Sequence, residues 1–320
     1  MHEQLPSLLL SPGKGILALD ESEKTAGKRL ESVGLPNSPE NRNLFRSLFI
    51  EAPGIEEYLS GVILPEEGVA QGAAEALKNK GILAGVKLDY SLEPAPNSPL
   101  EFHTKGLDSL KDRIGMYQGK TAFTKWRFAI PVSDELPTAD TLAVIADEAA
   151  TYAAIVQAAG MVPIVEPEVL YDGEHTLERS AEVLETVLRN VIKSFEDANV
   201  SLEETVIKTS MALAGAQSGF VSDPQEVAEK TLAALDVFPD TLAGVVFLSG
   251  GQDTDMALKN LAAIVQRSTL AFPLTFSFAR AIQEPVLRAW GGDPARVDEA
   301  RSVLLEVLQR HQSAAQGIYI

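Results

Sequence analysis

Short runs of β-branched and aliphatic residues recur along the chain, each followed by polar residues and then by an amphipathic stretch of helical length. An apolar run bounded by turn residues reads as a buried strand, and an apolar face recurring every three to four positions reads as a helix. The runs are GILALDES from Gly15, GVILPEE from Gly61, GVKLDY from Gly85, AFTKWRFAI from Ala122, MVPIVEPE from Met161, ETVIKTSM from Glu204, GVVFLSGG from Gly244 and LTFSFAR from Leu274. They number eight.

Helical stretches lie between them. TADTLAVIADEAATYAAIVQAAG ends at Gly160, a C-terminal stop. In DPQEVAEKTLAAL, Asp223 caps, Pro224 suits the first turn and Glu226 has capping-box spacing. The Pro-rich patch LEPAPNSPLEF, residues 92–102, is of loop length. With no Gly/Ser linker or low-complexity tract, residues 1–320 read as one α/β domain, and eight strands alternating with helices predict a (β/α)8 TIM barrel. An open doubly wound sheet would carry G-x-G-x-x-G after its first strand; here the glycines of GKGILALDES precede the strand.

Parallel strands covered on both faces should be almost wholly apolar, so charges within them carry information. Ten charged residues sit towards the carboxyl ends of six of the runs: Asp20, Glu21, Lys87, Asp89, Lys125, Arg127, Glu166, Glu168, Lys208 and Arg280. Side chains alternate along a strand, so Lys87 with Asp89, Lys125 with Arg127, and Glu166 with Glu168 each share a face. If that face is the barrel interior, the charges converge on the mouth where barrel enzymes keep their chemistry. A structural ion-pair network is the other reading of the same residues. Trp126, Phe123 and Phe128 belong to the core.

Composition narrows the chemistry. Apolar residues make up 45% and charged residues 22%, as in an ordinary globular protein. Lys and Arg number 27 against 45 Asp and Glu, a net charge of −18, which disfavours nucleic acid and anionic membranes as partners. The acidity reads as solubility, with salt adaptation as an alternative. Cysteine is absent, so disulfides and thiolate metal sites are excluded. The four histidines have no ligand spacing, which argues against a zinc site. Glu166 with Glu168 is the carboxylate pair that a Mg2+ would choose, but lysines at the same mouth already neutralise them. No metal and no cofactor is expected. MHEQLPSLLLSPGKG lacks the pattern of a signal peptide and no long apolar run follows, so a cytoplasmic protein is expected.

A lysine within an otherwise apolar strand suggests a covalent amine. Desolvation beside another cation such as Lys125 favours the neutral form, which can attack a carbonyl. The resulting Schiff base is an electron sink, with glutamates to move protons and an aspartate such as Asp20 to take one from a substrate hydroxyl. In FLSGGQDTD, Ser249, Gly250 and Gly251 stand between a strand and a helix, where backbone N–H groups approach an anion. Arg280 adds a bidentate partner at the usual phosphate position of barrels. A phosphorylated carbonyl compound follows as the substrate class.

GKGILALDES, NRNLFRSLF, GVKLDY, FTKWR, VPIVEPE, FLSGGQ and RAWGG occur in that order between about Gly13 and Tyr319. Together they resemble the class I fructose-1,6-bisphosphate aldolases. The resemblance implies reversible, metal-independent cleavage of fructose 1,6-bisphosphate to dihydroxyacetone phosphate and glyceraldehyde 3-phosphate, in glycolysis and gluconeogenesis, by a homo-oligomer, a tetramer. It implies Lys208 as the Schiff-base lysine, Asp20 as the group handling the C4 hydroxyl proton, Glu166 as the main acid/base, Lys125 as a further catalytic residue and Glu168 as a charge partner for Lys208. Arg127 and Lys87, with Ser22 and Thr25, would contact substrate or its distal phosphate. Ser249, Gly250, Gly251 and Arg280 would hold the phosphate nearer the ketone.

Three positions depart from the animal pattern. KTSM stands where the family has Lys-Pro-Asn-Met, and Phe278-Ala279 stands where it has Tyr-Gly. The sequence ends in AQGIYI without the extended tail whose last tyrosine assists proton transfer at the enamine, and Tyr319 matches an earlier tyrosine. The rival readings are another Schiff-base barrel enzyme, such as a transaldolase, and a non-catalytic phosphosugar-binding scaffold.

Overall fold

The computed structural model describes residues 4–96 and 98–320. Its strands in chain order are β1 (Gly15–Ala18), β2 (Leu59–Leu64), β3 (Leu83–Lys87), β4 (Leu92–Ala95), β5 (Ser98–Thr104), β6 (Phe123–Ile130), β7 (Val162–Val169), β8 (Val206–Thr209), β9 (Gly244–Phe247) and β10 (Leu274–Phe276). Eight of them form one parallel sheet in the order β1-β2-β3-β6-β7-β8-β9-β10. Each of the eight predicted runs overlaps one of these strands, so the (β/α)8 barrel is borne out.

No ladder joins β1 to β10. The seam is closed instead by the Ala18 N–H donating to the Phe278 carbonyl at 3.0 Å and by Thr275 Oγ1 donating to the Lys14 carbonyl at 2.8 Å.

The prediction failed at residues 92–102. They are not a loop: β4 and β5 pair antiparallel as a separate ribbon, with Pro94 opposite Phe102. A two-stranded ribbon has two free edges, where a residue lacking an N–H leaves no ladder bond unmade. The ribbon is pinned to the barrel by Glu101, whose buried carboxylate accepts from Thr138 N–H at 2.8 Å, Thr138 Oγ1 at 2.7 Å and Thr141 Oγ1 at 2.9 Å. Those donors open the helix Ala139–Ala158, so the carboxylate also meets the positive end of its dipole. That helix gives way to Gly160 in the left-handed region at φ +72°. Asp223 caps the helix Pro224–Leu235 by accepting from Gln225 N–H, as its position predicts.

Alternation along each strand divides the core. Outward residues such as Trp126, Phe128, Val165 and Ile207 pack against the helices. Inward residues Ile16, Ile63, Phe123, Ile164, Val206 and Val246 pack with Leu9 and Leu10 inside the barrel. Each such side chain contributes roughly 1.5–3 kcal/mol when fully buried. Phe123 fits because Gly85 stands opposite it; a Cβ there would lie 2.0 Å from the ring. The same inward columns turn polar one step further up, from Phe123 to Lys125, from Ile164 to Glu166 and from Val206 to Lys208. Apolar packing below therefore supports the charges above. Among the described residues, no helix is long and apolar enough to cross a membrane.

Candidate active site

The carboxyl ends of the barrel strands open on a cavity of about 610 Å³. Every one of the thirteen predicted site residues lines it: Asp20, Ser22, Thr25, Lys87, Lys125, Arg127, Glu166, Glu168, Lys208, Ser249, Gly250, Gly251 and Arg280.

At its floor, Glu166 bridges two lysines. Oε1 lies 3.0 Å from Lys208 Nζ and Oε2 lies 3.0 Å from Lys125 Nζ. All three residues are buried. Lys125 also meets Asp20 Oδ2 at 2.7 Å and Asp89 Oδ2 at 3.5 Å. Burial alone would lower the Lys125 pKa, but the carboxylates of Asp20, Asp89 and Glu166 outweigh it and raise it well above the ordinary lysine value. Burial likewise pushes the Asp20 carboxyl up, yet Lys125 and Lys208 together bring it down to about 2. Asp20 is therefore an anion and Lys125 a cation at neutral pH.

On β7 and β6 the register sets Glu166 opposite Arg127, while Glu168 binds Arg127 Nε. Lys87 pairs with Asp89 Oδ1 at 2.7 Å and donates to the Asp89 carbonyl. Across the mouth, the loop after β9 holds Gly250 at φ +58° and Gly251 at φ +96°. A Cβ on Gly251 would lie 3.2 Å from the Tyr171 ring and 3.5 Å from Arg280 Nη2, so glycine lets the backbone lie between them. Ser22 caps the helix Glu23–Glu31 by accepting from Thr25 N–H at 3.3 Å, and its Oγ is 3.1 Å from Thr25 Oγ1.

Comparison with known proteins decides what this cavity belongs to. Residues 3–320 match the family described as fructose-bisphosphate aldolase class-I. The fructose-bisphosphate aldolase of Drosophila melanogaster is 41% identical, over 99% of this chain and 90% of its own. The chloroplastic fructose-bisphosphate aldolase 2 of Arabidopsis thaliana is 40% identical, over 97% of this chain and 80% of its own. The fructose-bisphosphate aldolase of Plasmodium falciparum, crystallised with TRAP and a small-molecule inhibitor, superposes with a TM-score of 0.97 at 36% identity, over 100% of this chain and 95% of that one.

The chain belongs to the class I fructose-bisphosphate aldolases.

Within this class I aldolase, two placements differ from those expected from sequence. Glu168 does not pair with Lys208. Its partner is Arg127, because Glu168 lies one inward step higher on β7 than Glu166 and meets the inward residue one step higher on β6. Arg280 is not on the last barrel strand either. β10 ends at Phe276, and Arg280 is the first residue of the helix Arg280–Trp290, exposed towards the cavity.

The departures from the animal aldolase pattern have local accounts. After Lys208, Thr209 Oγ1 donates to the Pro167 carbonyl at 3.0 Å and Ser210 Oγ to the Val169 carbonyl at 2.8 Å, which ties the exit of β8 to β7. Phe278 packs edge-on against the buried His311 ring at 5.5 Å. Tyr319 lies under the Lys259 ammonium at 5.3 Å rather than in the cavity lining.

Five further residues in or behind the cavity were not singled out from sequence as candidate site residues. Asp89 and Glu21 read only as two more strand-end charges. Glu21, Arg29 and Tyr171 line the cavity, and Gln283 lies behind it. Arg29 Nη1 reaches Glu21 Oε1 at 2.8 Å. Burial, with the Asp20 charge, raises the Glu21 pKa although Arg29 opposes both. The available signal was periodicity: Gln283 follows Arg280 by three positions and so shares its helix face.

Proposed function

We propose that Lys208 forms a Schiff base with the ketone of fructose 1,6-bisphosphate and that the surrounding charges carry out its cleavage. Family membership gives the reaction, reversible aldol cleavage to dihydroxyacetone phosphate and glyceraldehyde 3-phosphate. The observation that supports this mechanism is Glu166 bridging Lys208 and Lys125 at 3.0 Å on each side.

Attack requires the free amine, and Glu166 Oε1 is placed to take the ammonium proton. Nζ then adds to the C2 carbonyl, and the carbinolamine loses water as Glu166 returns a proton to the departing hydroxyl. The C3–C4 bond breaks when Asp20 accepts the C4 hydroxyl proton. The bond's electrons flow into the iminium, giving an enamine on Lys208 and free glyceraldehyde 3-phosphate. Protonation of the enamine at C3, followed by hydrolysis, releases dihydroxyacetone phosphate. Lys125, held cationic, stabilises the negative charge that builds on substrate oxygen.

Two anion-holding clusters support a bisphosphate. Ser249, Gly250, Gly251 and Arg280 would take the phosphate nearer the ketone, while Lys87, Arg127, Ser22 and Thr25 would take the distal one. β3 and β9 are separated by three strands either way round the barrel, so Lys87 and the β9 loop face each other across the mouth. A glycolytic and gluconeogenic role, cytoplasmic residence and a homotetramer extend the proposal. The chloroplastic Arabidopsis relative shows that family membership leaves the compartment open.

The test is borohydride reduction with dihydroxyacetone phosphate, followed by peptide mass mapping. Covalent label on Lys208 and activity indifferent to chelator are expected. Unmodified Lys208 with chelator-sensitive activity would sink the mechanism. Faster turnover of fructose 1-phosphate than of the bisphosphate would remove the distal phosphate cluster from the reading.

A further inference from the structure

Behind the cavity wall, Gln283 is fully buried on the helix that begins with Arg280. Its Nε2 donates to two acceptors at once, the Ala18 carbonyl at 2.5 Å and Glu21 Oε1. The Ala18 carbonyl can only accept, so the nitrogen must face it, and that contact fixes the amide orientation. Gln283 Oε1 has no hydrogen-bond partner among the described residues.

Those acceptors flank Asp20. Ala18 ends β1 two residues before it, and Glu21 follows it directly. Glu21 also binds Arg29 at 2.8 Å, on the helix that Ser22 caps. The brace crosses the seam between β1 and β10, where no strand ladder joins the two sides. On one side stands Asp20 and on the other Arg280, both lining the cavity.

We infer that Gln283 is a positioning residue for C–C bond cleavage: through Ala18 and Glu21 it fixes Asp20 relative to the helix bearing Arg280. The inference rests on the Schiff-base reading and adds to it a division of labour. Lys208, Glu166 and Lys125 lie on β8, β7 and β6, away from the seam, and of the three only Lys125 touches Asp20, at 2.7 Å, so formation of the Schiff base depends on the brace less than cleavage does. Proton removal by Asp20 depends on it directly, and a displacement on the order of 1 Å at such a group costs up to about 100-fold in rate.

The experiment compares the unmodified chain with Gln283→Met, which keeps length and removes the donors. Borohydride trapping of Lys208 with dihydroxyacetone phosphate should change less than about twofold, whereas kcat for fructose 1,6-bisphosphate cleavage should fall roughly 10- to 100-fold. Gln283→Asn keeps an amide and is one methylene shorter, so it decides the matter if the methionine variant does not fold. It should show the same selective fall. Unchanged cleavage, or trapping and cleavage falling in parallel, overturns the inference. Failure of trapping in the unmodified chain would instead overturn the Schiff-base reading beneath it.

Discussion

His311 is the buried histidine whose titration should dominate stability in mild acid. It lies on the helix Val297–Ala314 with no exposed surface, its Nδ1 2.7 Å from the Val307 carbonyl. Its ring stands edge to face with Phe276 at 5.3 Å and Phe278 at 5.5 Å. The Nδ1 contact requires a proton on that nitrogen, leaving Nε2 without a partner among the described residues. Burial lowers the pKa to about 4 from an ordinary value of 6.5; the Val307 carbonyl opposes that shift only in part. Above pH 6.5 the ring is neutral in both the folded and the unfolded chain. As pH falls below that value the unfolded chain binds the proton first, so stability is lost down to about pH 4 and then levels off. At about 1.4 kcal/mol per unit the loss is roughly 3 kcal/mol. Urea unfolding of the parent and of His311→Leu at intervals from pH 7 to pH 4 isolates it. The leucine variant should lose about 3 kcal/mol less than the parent over that range. Parallel curves would refute a neutral, buried His311.

The remaining predictions concern the site and the ribbon. Glu166→Gln leaves the Lys208 and Lys125 ammonium groups buried without their shared anion, so urea unfolding should show a loss of about 3–5 kcal/mol; unchanged stability would mean that the bridge contributes little. Gly251→Ala meets both a left-handed φ and the Tyr171 ring, and should raise KM for phosphorylated substrates by roughly tenfold or more, at about 1–3 kcal/mol in stability. An unaltered KM would remove the β9 loop from phosphate binding. Burial pushes the Glu101 carboxyl up, but the Thr138 and Thr141 donors outweigh this and hold it below its ordinary 4.5, so its stabilisation is present above that pH and lost as pH falls further. Glu101→Gln should cost about 2 kcal/mol and speed limited proteolysis of residues 92–104. Cleavage at the parental rate would show that the ribbon is held by other contacts.

The barrel was legible because its inward columns change character along their length. Phe123 to Lys125 and Val206 to Lys208 are period-two steps that announce both a strand and a polar mouth. The ribbon at residues 92–104 was not legible, since Pro94 reads as a breaker unless a free edge is known to be present. Which residues line the cavity was legible where the family motifs fall, and partner choice was not. Whether Glu168 meets Lys208 or Arg127 depends on the register between β6 and β7, which neither strand encodes alone. Gln283 escaped notice for a related reason: its acceptors lie more than 260 residues earlier in the chain, and no local pattern links such distant positions.

A barrel laddered all the way round would hold opposite sides of the β1–β10 gap at a spacing dictated by strand geometry. Here that spacing is set by a single backbone bond, from Ala18 N–H to the Phe278 carbonyl, with Thr275 near one end and Gln283 near the other. Side-chain length, together with that one backbone bond rather than a full ladder, thus sets the separation of Asp20 from Arg280. A one-methylene change at either position adjusts it without disturbing a ladder. The width of the mouth is therefore open to gradual tuning, and selectivity for sugar-phosphate chain length should shift first through substitutions along this line.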